Sequence, residues 1–132
     1  MNLSRFTMAW LAALGLLGAP TAQASRWSPV AQADAGFYYL DAATIEGSPE
    51  RRQVWTVLDH REAQRLQGGQ LYRSTQAQVQ VNCKARLARL VHLTYFSGPM
   101  LTGNEVMKQG MLQDWLDIEA GSPMQRIAYR LC

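Results

Sequence analysis

The sequence predicts an α+β domain: an antiparallel β-sheet of five or six strands, with one C-terminal helix packed on a face and disulfide-linked to it. Three observations carry this. In the stretch that ends at Asn82, Gln76, Gln78, Gln80 and Asn82 alternate with Ala77, Val79, Val81 and Cys83, the period-two pattern of a half-buried strand. After Ser122 and Pro123, the residues Met124, Ile127, Ala128 and Leu131 fall at i, i+3, i+4 and i+7, one apolar stripe along a helix. Cys83 and Cys132 close that strand and that helix, and they are the only cysteines in the sequence.

The chain opens with an export signal. Residues 1–5 carry one positive side chain and no acid, and residues 6–18 are an apolar run of 13. A spanning helix needs roughly 20 apolar residues, so this run is too short. Pro20 breaks it, and Ala22, Gln23 and Ala24 form the small-residue site that signal peptidase accepts, with cleavage expected between Ala24 and Ser25. The plan is a signal peptide over 1–24 and one domain over 25–132, which is expected to be periplasmic or secreted. No cysteine precedes Cys83, so no residue at the cleavage site would carry a lipid.

The remaining 108 residues suffice for one domain, and their formal charge is +2. That excess is too small to argue for nucleic acid. Eleven of the 13 basic residues are arginine, which gives the surface planar donors for anionic groups. No other apolar run approaches spanning length, so no transmembrane segment is expected after the signal. In an oxidising compartment the two cysteines are expected to pair, and closing a loop of about 50 residues stabilises by roughly 4 kcal/mol.

Trp27 anchors a first short strand, and Gly36 precedes the β-favouring run Phe37, Tyr38, Tyr39 and Leu40. Asp41 caps a short helical turn that runs to Ile45, and residues 47–50 are turn chemistry. Residues 53–59 are β-branched and apolar, a strand with little exposure. Residues 61–67 are polar and followed by Gly68 and Gly69, which predicts a loop or a helical turn. Residues 86–97 form another β run, in which Arg89 falls in phase with Leu87, Val91 and Leu93; a bulge or burial on both faces would account for it. Residues 105–109 and 114–118 are weaker strand candidates. Ser122 suits the helix N-cap and Pro123 the first helical position.

Catalytic signals are thin. His60 lies beside Asp59 and near Glu62, at the expected surface end of a strand, and His92 sits far down the chain; their spacing matches no metal motif. Ser74 and Ser97 lack the framework of an activated nucleophile. Gly68 and Gly69 precede neither a lysine-serine pair nor a helix, so they make no phosphate loop. No enzyme activity, metal or cofactor is expected. Trp27, Trp55, Tyr72, Tyr95 and Trp115 are expected to fill the space between sheet and helix, with Trp55 the clearest case because Val54 and Val57 flank it.

The same residues form a spaced series: Trp27; Tyr39-Leu40-Asp41 with Ile45; Val54-Trp55 with Asp59; Tyr72 and Ser74 ahead of Cys83; Arg86; Tyr95-Phe96-Ser97-Gly98; and Trp115 before Gly121-Ser122-Pro123 and a helix ending in Cys132. This series resembles the surface-adhesin protein E-like family of Gram-negative bacteria, over essentially the whole exported part. It departs from the family pattern at Asn82, where an acid usually precedes the cysteine. The resemblance implies the sheet-and-helix fold and a non-enzymatic protein-interaction module that binds host or cell-envelope proteins. The candidate binding residues are Arg73, Gln76, Gln78 and Gln80, on the sheet face that the helix leaves open. A homodimer is compatible with the sequence. The alternative is a periplasmic inhibitor or small-ligand-binding protein that uses the loop 61–70.

Overall fold

The computed structural model describes residues 26–110 and 112–132; the signal segment and the Ala24/Ser25 junction lie outside them. Seven strands form where period-two or β-branched sequence occurs: β1 (Ser28–Ala33), β2 (Gly36–Leu40), β3 (Arg52–Arg65), β4 (Leu71–Asn82), β5 (Leu87–Phe96), β6 (Glu105–Gln109) and β7 (Leu116–Asp117). Helix α1 (Pro123–Leu131) follows. Strands β1 to β6 lie side by side in chain order, every pair antiparallel, and the two-residue β7 joins the far edge of β5 beside β6. From β1 to β6, consecutive strands therefore pair with their chain neighbours.

Register decides what each face carries. Val54 stands opposite Val79 and Arg52 opposite Val81, so the odd positions of β4 share a face with the even positions of β3. Leu40, Val54, Val79, Val81 and Ala88 form the apolar side, and Ile127, Ala128 and Leu131 of α1 close over it. Burying the Ile127 and Leu131 side chains stabilises by about 1.5–3 kcal/mol each. The helix begins as the sequence dictates: the Ser122 hydroxyl accepts from the Gln125 N–H at 3.2 Å, and Pro123 takes the first helical position. At its other end Cys132 is bonded to Cys83, with Cα atoms 5.7 Å apart, so the helix is stapled to the end of β4.

Three local features matter for the site. Asp41 accepts from the Ala43 N–H at 3.1 Å and caps the 3₁₀ turn Ala42–Thr44, as read from the sequence. In β5, Val91 pairs with Gln78 and Thr94 with Gln76, so His92 and Leu93 together face Ala77; this is a bulge, with His92 at φ 52°. The bulge accounts for Leu93, which it turns to the side of Leu90; Leu87, Arg89 and Val91 stay together on the other face, where Val91 is buried, so both expected explanations contribute. The third feature corrects an expectation. Residues 61–65, expected as a loop or helical turn, continue β3: Arg61 N–H donates to Ala35 O at 3.0 Å, and Gln64 and Arg65 pair with Tyr72 and Leu71 of β4, so the extended backbone finds partners without any need for burial.

Candidate functional site

Gln76, Gln78 and Gln80 have the parity of the face turned away from α1, the face the sequence marks as open. Gln80 is buried there and belongs to a polar row that crosses three strands. Gln53 Nε2 donates to Glu46 Oε1 at 2.5 Å, Gln80 Nε2 to Gln53 Oε1 at 3.2 Å, and Arg89 Nε to Gln80 Oε1 at 2.8 Å. The Arg89 guanidinium then lies 4.2 Å from the centre of the Trp115 ring. Gln76 and Gln78 are half-buried and take no part in the row. Trp55 is also on this face, half-buried and 6.4 Å from the His92 ring, because Val54 occupies the inward parity. Of the aromatic residues expected between sheet and helix, Tyr72 and Tyr95 are on the helix side, while Trp55 and Trp115 are on the opposite one.

A clasp covers the far end of the open face. The β5–β6 connection folds back so that Met100 N–H donates to Asp59 Oδ1 at 3.0 Å and Leu101 N–H to Ser74 Oγ at 2.9 Å. Ser74, fully buried, donates in turn to the Gly98 carbonyl at 2.7 Å. Met100 and Leu101 both hold left-handed backbone, at φ 50° and 63°. Left-handed backbone costs a non-glycine residue roughly 1–2 kcal/mol, and the Asp59 and Ser74 side chains hold it in place. Ser74 is thus a structural clamp.

Beyond the clasp the sheet narrows to an arm. β2 pairs with β3 only as far as Gly36 opposite His60, and β5 pairs with β4 only as far as Phe96 opposite Ser74. Arg61 N–H still donates to Ala35 O at 3.0 Å; beyond it β3 and β4 pair only with each other, at Gln64 opposite Tyr72 and Arg65 opposite Leu71. Between Asp59 and Gln64 the ladder is interrupted, with residues 60–63 facing Arg73 alone. Gly36 makes the crossing possible: a Cβ there would stand 2.0 Å from the Asp59 carbonyl oxygen. The arm is exposed at Arg61, Glu62, Ala63, Arg65 and from Gln67 to Leu71.

Three arginines define the arm, and each is held by a carbonyl. Arg61 Nε donates to Ala33 O at 3.3 Å, Arg65 Nη1 to Gly69 O at 2.9 Å, and Arg73 Nε to His60 O at 2.8 Å. Arg61 also lies 4.6 Å over the Phe37 ring. Among the described residues none of the three forms a salt bridge, while Arg26, Lys84 and Lys108 do. Their charge is oriented but not neutralised. Arg73 is therefore the one sequence-marked binding residue that belongs to the arm; Gln76, Gln78 and Gln80 lie further along β4. The sequence shows the arginines, but their anchoring carbonyls come from the interrupted ladder, which no spacing reveals.

His60, expected at the surface, is buried, because β3 continues past it and Gly36 pairs over it. Burial pushes its imidazole below the usual histidine range; Asp59 opposes the shift and Arg73 adds to it. Among the described residues no three histidine, cysteine, aspartate or glutamate side chains are grouped to hold a metal. No helix among them is long and apolar enough to cross a membrane.

A family model described as surface-adhesin protein E matches residues 27–132. Among solved structures, crystal form II of Haemophilus influenzae protein E superposes with a TM-score of 0.66 at 15% identity, covering 86% of this chain and 91% of that one. Another structure of Haemophilus influenzae protein E gives 0.62 at 16%, over 88% and 90%. Protein E from non-typeable Haemophilus influenzae gives 0.60 at 15%, over 83% and 77%. At such identity the likeness is one of fold. No curated protein matches the sequence.

Proposed function

The chain belongs to the surface-adhesin protein E family, and from that premise we propose that it is an exported, non-enzymatic protein-interaction module that engages an acidic segment of a host or cell-envelope protein through its β3–β4 arm. One observation carries the reading: Arg61, Arg65 and Arg73 are pinned to backbone carbonyls and unpaired with carboxylates. A guanidinium fixed in this way has lost part of its rotamer freedom before it meets a partner, so less ordering remains to oppose binding. It also keeps donors and full charge for a carboxylate. A two-stranded ribbon is at best marginally stable by itself, so the arginine-to-carbonyl bonds also supply the arm's order.

The signal segment directs the protein to the periplasm or beyond, and fractionation with surface protease shaving locates it. The binding test uses the oxidised, processed protein as bait for plasma proteins and for cell-envelope extract. The expected result is capture that weakens steeply with salt, since exposed charges are screened within about 8–10 Å at physiological ionic strength. Arg61→Glu with Arg65→Glu should remove that capture. Gln76→Glu with Gln78→Glu tests the sequence-marked residues of the open face. Loss in the second pair alone would move the contact to the open face, and salt-independent capture would exclude an arginine-led contact.

A further inference from the structure

On the helix side, away from the arm's arginines, the sheet and the start of α1 enclose a groove of about 410 Å³. That volume lies within the range of small-molecule sites, roughly 300–1,000 Å³. Its floor is apolar, from Leu58, Leu90 and Leu93, the last placed there by the β5 bulge. Its wall is a contiguous set of rings: Tyr72 stands edge-on to His60 at 5.3 Å and to Tyr95 at 4.8 Å. No lysine, arginine, aspartate or glutamate lines it.

Among the polar groups of this groove, Thr56 Oγ1 donates to Ala77 O at 2.9 Å and Ser122 Oγ to Glu119 O at 2.6 Å, while the others are incompletely used. His60 Nε2 lies 3.4 Å from Thr75 Oγ1, a long contact for a hydrogen bond. The Tyr95 hydroxyl reaches Gln109 Oε1 at 3.4 Å. The hydroxyls of Tyr38 and Tyr72, which also line the groove, form no hydrogen bond with the described residues. A charged ligand would lose hydration here without meeting a counter-charge, which is strongly unfavourable. A purely aliphatic one would cover the tyrosine hydroxyls and the imidazole without satisfying them. A flat ring with a polar edge suits both the wall and its donors, since aromatic pairs gain from edge-on or offset contact.

We infer that this groove binds a small uncharged aromatic molecule carrying one hydrogen-bonding group, of the phenol or indole type. The groove shares Tyr72 and His60 with the base of the arm, but none of the arm's arginines lines it, so charge reversal at Arg61 and Arg65 and the isosteric changes below test the two readings separately. The test is an amide chemical-shift titration of the oxidised, processed protein with indole, and in parallel with benzoate as a charged ring of similar size. The expected result is saturable shifts at Thr75, Ala77, Leu93 and Met124, with benzoate at least about tenfold weaker. Tyr72→Phe and Thr75→Val should each weaken indole by roughly three- to tenfold, the usual worth of one hydrogen bond. Ala77→Leu, which puts extra methyl groups on the floor, should abolish binding; if that variant does not fold, the two isosteric variants still decide. Shifts that fail to saturate, shifts centred outside the groove, equal binding of benzoate, or full affinity in both Tyr72→Phe and Thr75→Val would each overturn the inference.

Discussion

The two ends of the β3–β4 ribbon are built on opposite principles. At the helix end, Val54, Val79 and Val81 are buried, α1 lies across them, and the Cys83–Cys132 bond ties the layers together. At the arm end the same two strands continue without a third strand, a helix or a core, held by a turn in which Leu66 N–H donates to Gln70 O at 2.9 Å and by arginine-to-carbonyl bonds. The first end uses apolar burial, which is non-directional and strong in sum. The second uses a few directed polar contacts and leaves its surface open. Apolar burial is concentrated at the helix end and exposed charge at the arm.

The largest way to break this contrast is to cut the staple. Cys83→Ser with Cys132→Ser should cost about 2–5 kcal/mol, measured by denaturant unfolding. Hydrogen exchange should loosen α1 first and leave the arm's pattern unchanged; equal loosening at both ends would mean that they unfold as one unit. Next in size is the clasp. Ser74→Ala removes the acceptor of Leu101 N–H and the donor to Gly98, leaving two half-buried backbone groups unpaired, for a loss of about 1–3 kcal/mol.

His60 sharpens the boundary between the two ends. Its native pKa lies below the 6.5 of an unhindered histidine because it is buried. The unfolded chain therefore takes up a proton before the folded one does. The stabilisation from keeping His60 neutral is complete above pH 6.5 and is lost as the pH falls from there through the native pKa. Thermal unfolding at pH 7.5, 6.5 and 5.5 should show the decline, and His60→Gln should flatten it. The smallest effect belongs to the arm: Arg61→Glu with Arg65→Glu should change stability by no more than about 0.5 kcal/mol, as exposed substitutions usually do. A loss comparable to that of Ser74→Ala would show that the arm supports the fold.

How much of this was legible depends on which force shaped each segment. The helix was readable to the residue, because Ser122, Pro123 and the apolar stripe are local signals. The alternation before Cys83 placed β4 and the disulfide correctly, because burial on one face leaves a period-two trace. Residues 61–65 left no such trace, since an unburied strand has no apolar phase to display. His60 and Trp55 were misplaced for a related reason: a strand's end and its parity both depend on partners that only the register supplies. Arg73 was marked as a binding residue, yet what orients it is the carbonyl of His60, brought close by the interrupted ladder.

The row from Glu46 through Gln53, Gln80 and Arg89 to Trp115 bears on how the chain assembles. Valine-rich strands carry little in their hydrocarbon alone that distinguishes the native alignment from one displaced by two residues, which keeps the same faces. Sliding β4 by one residue along β3 would turn Gln80 toward the core and Val79 outward. Sliding it by two would keep the faces but part Gln80 from both Gln53 and Arg89. The row is therefore complete only in the native register, and a displaced pairing of β4 with β3 would leave Gln53 and Gln80 without each other.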